Sequence, residues 1–161
     1  LVLKILKENF DSKLAQLQDD VGKNGLSLED SIILASIVER EARSPGVKKE
    51  VASILLKRLT IGMKLDADAT VQYTIGFQAD EKSWWKKGLT AVDLKTRSPF
   101  NTYTNAGLPP TPISNPGSAS IQAVLNADSS TPYLYYLHDE QGNSYYSRTL
   151  EEHEANKTKH L

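Results

Sequence analysis

The stretch "IILASIVEREAR", residues 32 to 43, decides how the chain is read. Its residues are apolar on almost every side of a helix, and then Glu39, Arg40 and Glu41 follow without a break in the pattern. Leu28, Ile32, Ala35, Glu39 and Ala42 recur at spacings of four, three, four and three, so they share one stripe. Ile33, Leu34, Ile37 and Val38 beside them are apolar too, which makes this helix central and largely surrounded. Glu39 therefore stands where a leucine is expected. Burying an ionised carboxylate costs several kcal/mol unless it is paired. Holding the proton is the cheaper course and raises the pKa. A carboxylic acid still protonated near neutral pH is what general acid catalysis on a glycosidic oxygen requires. The other reading places Glu39 just past the buried part, in an ion pair with Arg40, Arg43 or Arg58. Glu41 points elsewhere on the helix and reads as solvated.

Helices flank this stretch on both sides. Leu3, Leu6, Phe10, Leu14, Leu17 and Val21 mark an amphipathic N-terminal helix within residues 1–23. Ser27 with Asp30 resembles a capping box that opens the central helix. Ser44 and Pro45 supply the N-cap and first turn of a third helix, which carries Val47, Val51, Ile54 and Leu55 on one face and ends near Gly62. From Met63 to Gly76 the texture is β-branched and polar, and reads as extended. A short helix is expected from Thr90 and another over 118–127. "YLYYLHDEQGNSYYS" reads as a hairpin turning at Gly142-Asn143, and Thr149 with Glu152 caps a C-terminal helix. The fold class is α+β: one mostly helical domain over 1–161, with a central buried helix, a small antiparallel sheet and a long Pro-rich loop.

That loop, residues 97–118, holds five of the seven prolines. Structureless loops of this length are uncommon in compact domains and are often functional. Asn101, Thr102, Tyr103, Asn105 and Asn115 are side chains suited to sugars, and prolines lower the entropy cost of holding them ready. The same loop also reads as a rigid strap over the core. Trp84 and Trp85 read either as sugar-stacking rings or as one core and one surface residue. The five tyrosines of the hairpin region read as sheet residues.

Composition narrows the function. Nineteen Lys and Arg against twenty Asp and Glu leave no basic footprint for nucleic acid and no polybasic run for a membrane surface. No apolar run approaches the roughly 20 residues that span a bilayer. No cysteine is present, so thiol nucleophiles, disulfides and thiolate metal sites are out. The three histidines lack ligand spacing, and neither a metal nor a cofactor is expected. The chain starts at Leu1, so a piece of a longer protein is expected, itself soluble, with any anchor upstream.

"LASIVERE" (34–41), "RLTIGMKLDADATVQYTIG" (58–76), "SPFNTY" (98–103), "GLPPTPISNPG" (107–117) and "TPYLYYL" (131–137) occur in this order. Together they closely resemble the YceG-like family, the endolytic murein transglycosylases of the MltG type, from about Leu26 onward. The resemblance implies cleavage of the β-1,4 bond between N-acetylmuramic acid and N-acetylglucosamine within peptidoglycan strands, leaving 1,6-anhydro ends. It implies catalysis by the glutamate of the S-I-V-E motif, Glu39 here. It implies a glycan cleft lined by Asp68, Thr70, Gln72, Tyr73, Asn101, Thr102, Tyr103, Leu108, Pro109 and Asn115. It also implies peptidoglycan synthases (penicillin-binding proteins) as partners, and anchoring on the outer face of the bacterial cytoplasmic membrane. Thr111, where the family has glycine, and Phe100, where it has tyrosine, are mild departures. Two rival readings stay open: a hydrolytic muramidase pairing Glu39 with Asp68 (Asp66 being a second candidate), and a silent glycan-binding or scaffold module.

Overall fold

The computed structural model describes residues 1–161. Six helices run in chain order: α1 (Val2–Ala15), α2 (Leu28–Glu41), α3 (Pro45–Thr60), α4 (Asp68–Ile75), α5 (Ser118–Leu125) and α6 (Leu150–His160). One antiparallel pair, β1 (Tyr135–His138) and β2 (Ser144–Ser147), lies between α5 and α6 with Tyr136 opposite Tyr146. The class is α+β, as the pattern of elements predicts.

The helix starts follow their caps. The Ser27 hydroxyl accepts from the Asp30 N–H at 3.0 Å, Ser44 from Val47 at 3.5 Å, and Thr149 from Glu152 at 3.2 Å. The core forms where α2, α3 and α5 pack. Leu34, Ile37 and Val38 of α2 meet Val51 and Leu55 of α3 and Val124 of α5, all fully buried. Ala35 and Ala52 are fully buried in the same cluster. Burying side chains of this size contributes about 2 kcal/mol each, and this junction dominates stability.

Three expectations change. The amphipathic N-terminal segment is not one helix: α1 stops at Ala15 and a 3₁₀ turn follows at Gln18–Asp20. That break brings Leu17 and Val21 onto the core, while Leu3, Leu6 and Phe10 of α1 stay exposed. The helix expected from Thr90 shrinks to a 3₁₀ turn, Asp93–Lys95. Asp93 instead accepts from Thr90 and Lys86 and locks the turn. The largest correction is α4, a helix where an extended segment is expected. Its β-branched residues find tertiary partners that outweigh propensity: Val71 enters the core, and Thr70 and Thr74 bond back to the Ala67 and Thr70 carbonyls. Gly76, at φ +76°, ends it.

Candidate active site

The two glutamates at the end of α2 have traded the places expected of them. Glu39 is 31% exposed at its side chain and is held by three donors. Lys48 Nζ reaches its Oε2 at 2.9 Å, the Ser120 hydroxyl donates to the same oxygen at 2.5 Å, and the Gly117 N–H follows at 3.2 Å. Burial pushes its pKa up, but the hydrogen bonds from Ser120, Lys48 and Gly117 outweigh it, and the carboxyl lies below the usual glutamate range. Glu39 is thus an ionised strut joining α2, α3 and α5. The raised pKa expected for it is not found. Nor is its partner Arg40, Arg43 or Arg58; it is Lys48, which is 9% exposed at its side chain.

Glu41 is not solvated. It continues the deepest line of α2, four residues after Ile37 and three after Val38. Its Oε1 accepts from the Ala69 N–H at 3.2 Å, and its Oε2 from the Tyr136 hydroxyl at 3.1 Å. Burial pushes its pKa up to about 7, and the nearby Asp68 charge adds to the rise. This is the half-protonated acid that the sequence pattern assigns to Glu39. The stripe Leu34–Ile37–Val38–Glu41 carried that signal equally well.

Glu41 opens into a cleft of about 450 Å³. Asp66, Asp68 and Tyr103 form one wall, Tyr135 and Tyr136 of β1 another, and His153 and Lys157 of α6 the rim. Tyr103 donates to Asp68 Oδ1 at 2.6 Å, and burial followed by that bond raises the tyrosine's pKa well above its ordinary value. Asp66 sits at φ +48°, a strained conformation for a non-glycine residue, and burial raises its pKa. Buried Arg58 fixes this floor. Its Nε donates to the Leu134 carbonyl at 2.7 Å, its Nη1 to the Leu65 carbonyl at 2.8 Å, and it lies 3.7 Å from Asp66. Arg58 falls on the Val51–Ile54–Leu55 stripe of α3, and a lone arginine there is the signal that marks it.

Of the ten residues expected to line a glycan cleft, Asp68 and Tyr103 line this cavity. Thr70 and Thr102 are buried and face each other at 2.9 Å, and Thr102 Oγ1 also accepts from the Ala67 N–H; they hold α4 to the long loop and touch no cleft. Asn101, 0% exposed, donates to the Leu94 and Thr96 carbonyls and accepts from the Tyr103 N–H. It is a loop strut that aims Tyr103. Gln72 bonds to the Lys86 carbonyl, and Tyr73 packs its ring on Phe100. Leu108 packs on the core and Pro109 is buried. Asn115 is exposed near the Glu39 strut, two residues from Gly117. Trp85 packs on the core beneath Arg40, and Trp84 is exposed against Phe77. The structure contains no group of His, Cys, Asp and Glu residues arranged to hold a metal.

A mostly helical domain that holds one carboxyl at a raised pKa in a half-apolar, tyrosine-lined cleft has an arrangement suited to acid/base chemistry. A sequence model of the YceG-like family matches residues 1–159, and the chain belongs to that family. An endolytic murein transglycosylase of Bacillus subtilis is 33% identical over 160 residues, which cover 99% of this chain and 42% of that protein. One from Streptococcus pneumoniae serotype 2 is 28% identical over 94% of this chain and 27% of that protein. The crystal structure of a yceG-like protein from Listeria monocytogenes superposes with a TM-score of 0.79 at 38% identity, over 92% of this chain and 46% of that one. The chain thus spans less than half the length of these relatives.

Proposed function

We propose that the chain is the cleaving domain of a lytic transglycosylase acting on peptidoglycan, with Glu41 as its general acid and base. One observation carries this reading: Glu41, whose carboxyl pKa is pushed by burial up to about 7, opens into a cleft of about 450 Å³ lined by Asp68, Tyr103 and Tyr136. The relatives named endolytic murein transglycosylases support the substrate class. Glu41 gives its proton to the glycosidic oxygen as the bond from that oxygen to C1 of the muramyl residue breaks. The oxocarbenium-like sugar is then closed by its own C6 hydroxyl, whose proton returns to Glu41 as O6 bonds to C1. No water is consumed, and one residue serves both steps. The Ala69 N–H and the Tyr136 hydroxyl steady the carboxylate between them. The site of action would be the cell envelope, outside the cytoplasmic membrane, with peptidoglycan synthases as neighbours; the family resemblance supports both.

Asp68 favours one second reading. Its Oδ1 is taken by Tyr103, but its other oxygen has no partner and faces the same cleft as Glu41. A muramidase would use that carboxylate to activate water. Digestion in oxygen-18 water separates the two. Unlabelled, non-reducing 1,6-anhydro ends are expected, whereas label in most new ends would establish the muramidase.

A further inference from the structure

Glu41 and His138 belong to two cavities. Beyond the main cleft lies a smaller one of about 340 Å³, walled by Arg40 and Arg43 on one side and by the hairpin turn, Asp139 to Ser144, on the other. The Arg40 guanidinium carbon lies over the Trp85 ring, 3.6 Å from its centroid. Neither Arg40 nor Arg43 forms an ion pair with a carboxylate of the chain. Across the cavity, Asp139 accepts from the Asn143 backbone, the Asn143 side chain and the Tyr145 hydroxyl of its own turn, and neither it nor Glu140 forms an ion pair with Arg40 or Arg43.

A guanidinium stacked on an aromatic face keeps its N–H fork free and oriented, which suits bidentate capture of a carboxylate. The cavity adjoins Glu41 itself, which places a group bound there close to the bond that is cut. In peptidoglycan the sugar at that bond is muramic acid, and its lactyl arm carries a peptide with acidic residues. We propose that Arg40 and Arg43 form the stem-peptide subsite, binding a carboxylate of the peptide on the muramyl residue at the scissile bond. This rests on the glycan-cleaving reading above. It makes the domain select strands that still carry peptides with free carboxylates.

Binding is measured on Glu41→Gln, so that turnover does not intervene. Two soluble fragments of equal length serve as probes, both alternating N-acetylglucosamine and muramyl-L-alanyl-D-glutamate. One has free peptide carboxylates and the other has them amidated. The free acid is expected to bind at least about tenfold more tightly. Adding Arg40→Gln and Arg43→Gln should shrink that preference to about twofold or less. Because Arg40 packs on Trp85, Arg43→Gln alone is the check on folding, and it should cut the preference by about threefold. Equal affinity for the two fragments, or a preference that survives both substitutions, overturns the subsite. If the wild-type chain binds the free acid through these arginines yet cleaves neither fragment, the catalytic reading falls and the subsite stands.

Discussion

Two carboxylates two residues apart on one helix meet opposite surroundings. Glu39 faces the junction of α2, α3 and α5, where an ammonium, a hydroxyl and a backbone N–H converge on one oxygen. Glu41 faces the cleft, where it receives one donor on each oxygen and a second carboxylate stands close by. The residue type, the helix and the local sequence are the same for both. What differs is the charge brought by other parts of the chain. The hydrogen bonds from Ser120, Lys48 and Gly117 hold the Glu39 carboxyl below the ordinary glutamate range, and the Asp68 charge adds to the rise that burial imposes on Glu41. The carboxyl with the raised pKa is the one that no cation contacts directly.

The sharpest way to break this contrast is to neutralise each glutamate in turn. Glu41→Gln should lower glycan cleavage by about a hundredfold to ten-thousandfold, the range of a lost general acid. Glu39→Gln should leave cleavage within about tenfold of wild type. Turnover on purified peptidoglycan, with circular dichroism confirming the fold, measures both. If Glu39→Gln is the dead variant and Glu41→Gln turns over normally, the assignment is reversed.

The two sites also predict opposite responses to pH. Glu41 has a folded pKa of about 7 against an ordinary value of 4.5, so the folded state holds the proton more tightly than the unfolded chain. Its contribution to stability is complete below pH 4.5 and is lost as pH rises through 7, a loss of roughly 3 kcal/mol. Glu41→Gln should therefore flatten the fall in melting temperature between pH 5 and pH 8. Cleavage should decline above pH 7 as the acid empties. Glu39, with its pKa lowered, contributes stability above the ordinary glutamate value that is lost only as pH falls. An unchanged stability profile in Glu41→Gln would mean its carboxyl is not held protonated by the fold.

On the structural side, Glu39→Gln strips the buried Lys48 ammonium of its counter-charge and should cost about 3 kcal/mol by urea unfolding. Adding Lys48→Met removes the stranded charge and should restore part of that loss. Simple additivity would show that the pair is not coupled. Asn101→Ala should cost about 2 kcal/mol, because the Leu94 and Thr96 carbonyls and the Tyr103 N–H lose their partner. Loss of cleavage with an unchanged melting point would return Asn101 to the glycan.

Much of the fold is legible in residue spacing. The caps at Ser27, Ser44 and Thr149 and the apolar stripes of α2 and α3 place three helices, and tyrosine-rich alternation around Gly142 places the hairpin. The α4 helix is not legible, since its β-branched residues favour a strand and only contacts with Thr102 and the core turn them into a helix. The candidate site is half legible. Periodicity says that a carboxylate enters the apolar face of α2, but Glu39 and Glu41 both satisfy it. The choice depends on Lys48, Ser120 and Tyr136, which lie 9, 81 and 95 residues away from the glutamates they contact. The same holds for Asn101 and Thr102, whose polarity suits a sugar equally well as a buried backbone.

Asp68 offers the smallest and most selective test of the contrast. Its charge raises the Glu41 pKa, second among the upward influences after burial. Asparagine at this position keeps an oxygen to accept from the Tyr103 hydroxyl, so the geometry of the wall survives. What disappears is the negative charge. Glu41 should then ionise more readily, and the alkaline limb of the cleavage profile should move to lower pH by less than about one unit. Activity at pH 5.5 should change far less than activity at pH 7.5. A muramidase that depends on Asp68 to activate water would behave otherwise, losing activity at every pH without moving the limb. Profiles of kcat/KM for Asp68→Asn and wild type across pH 5 to 9 therefore decide whether Asp68 tunes the acid or attacks through water.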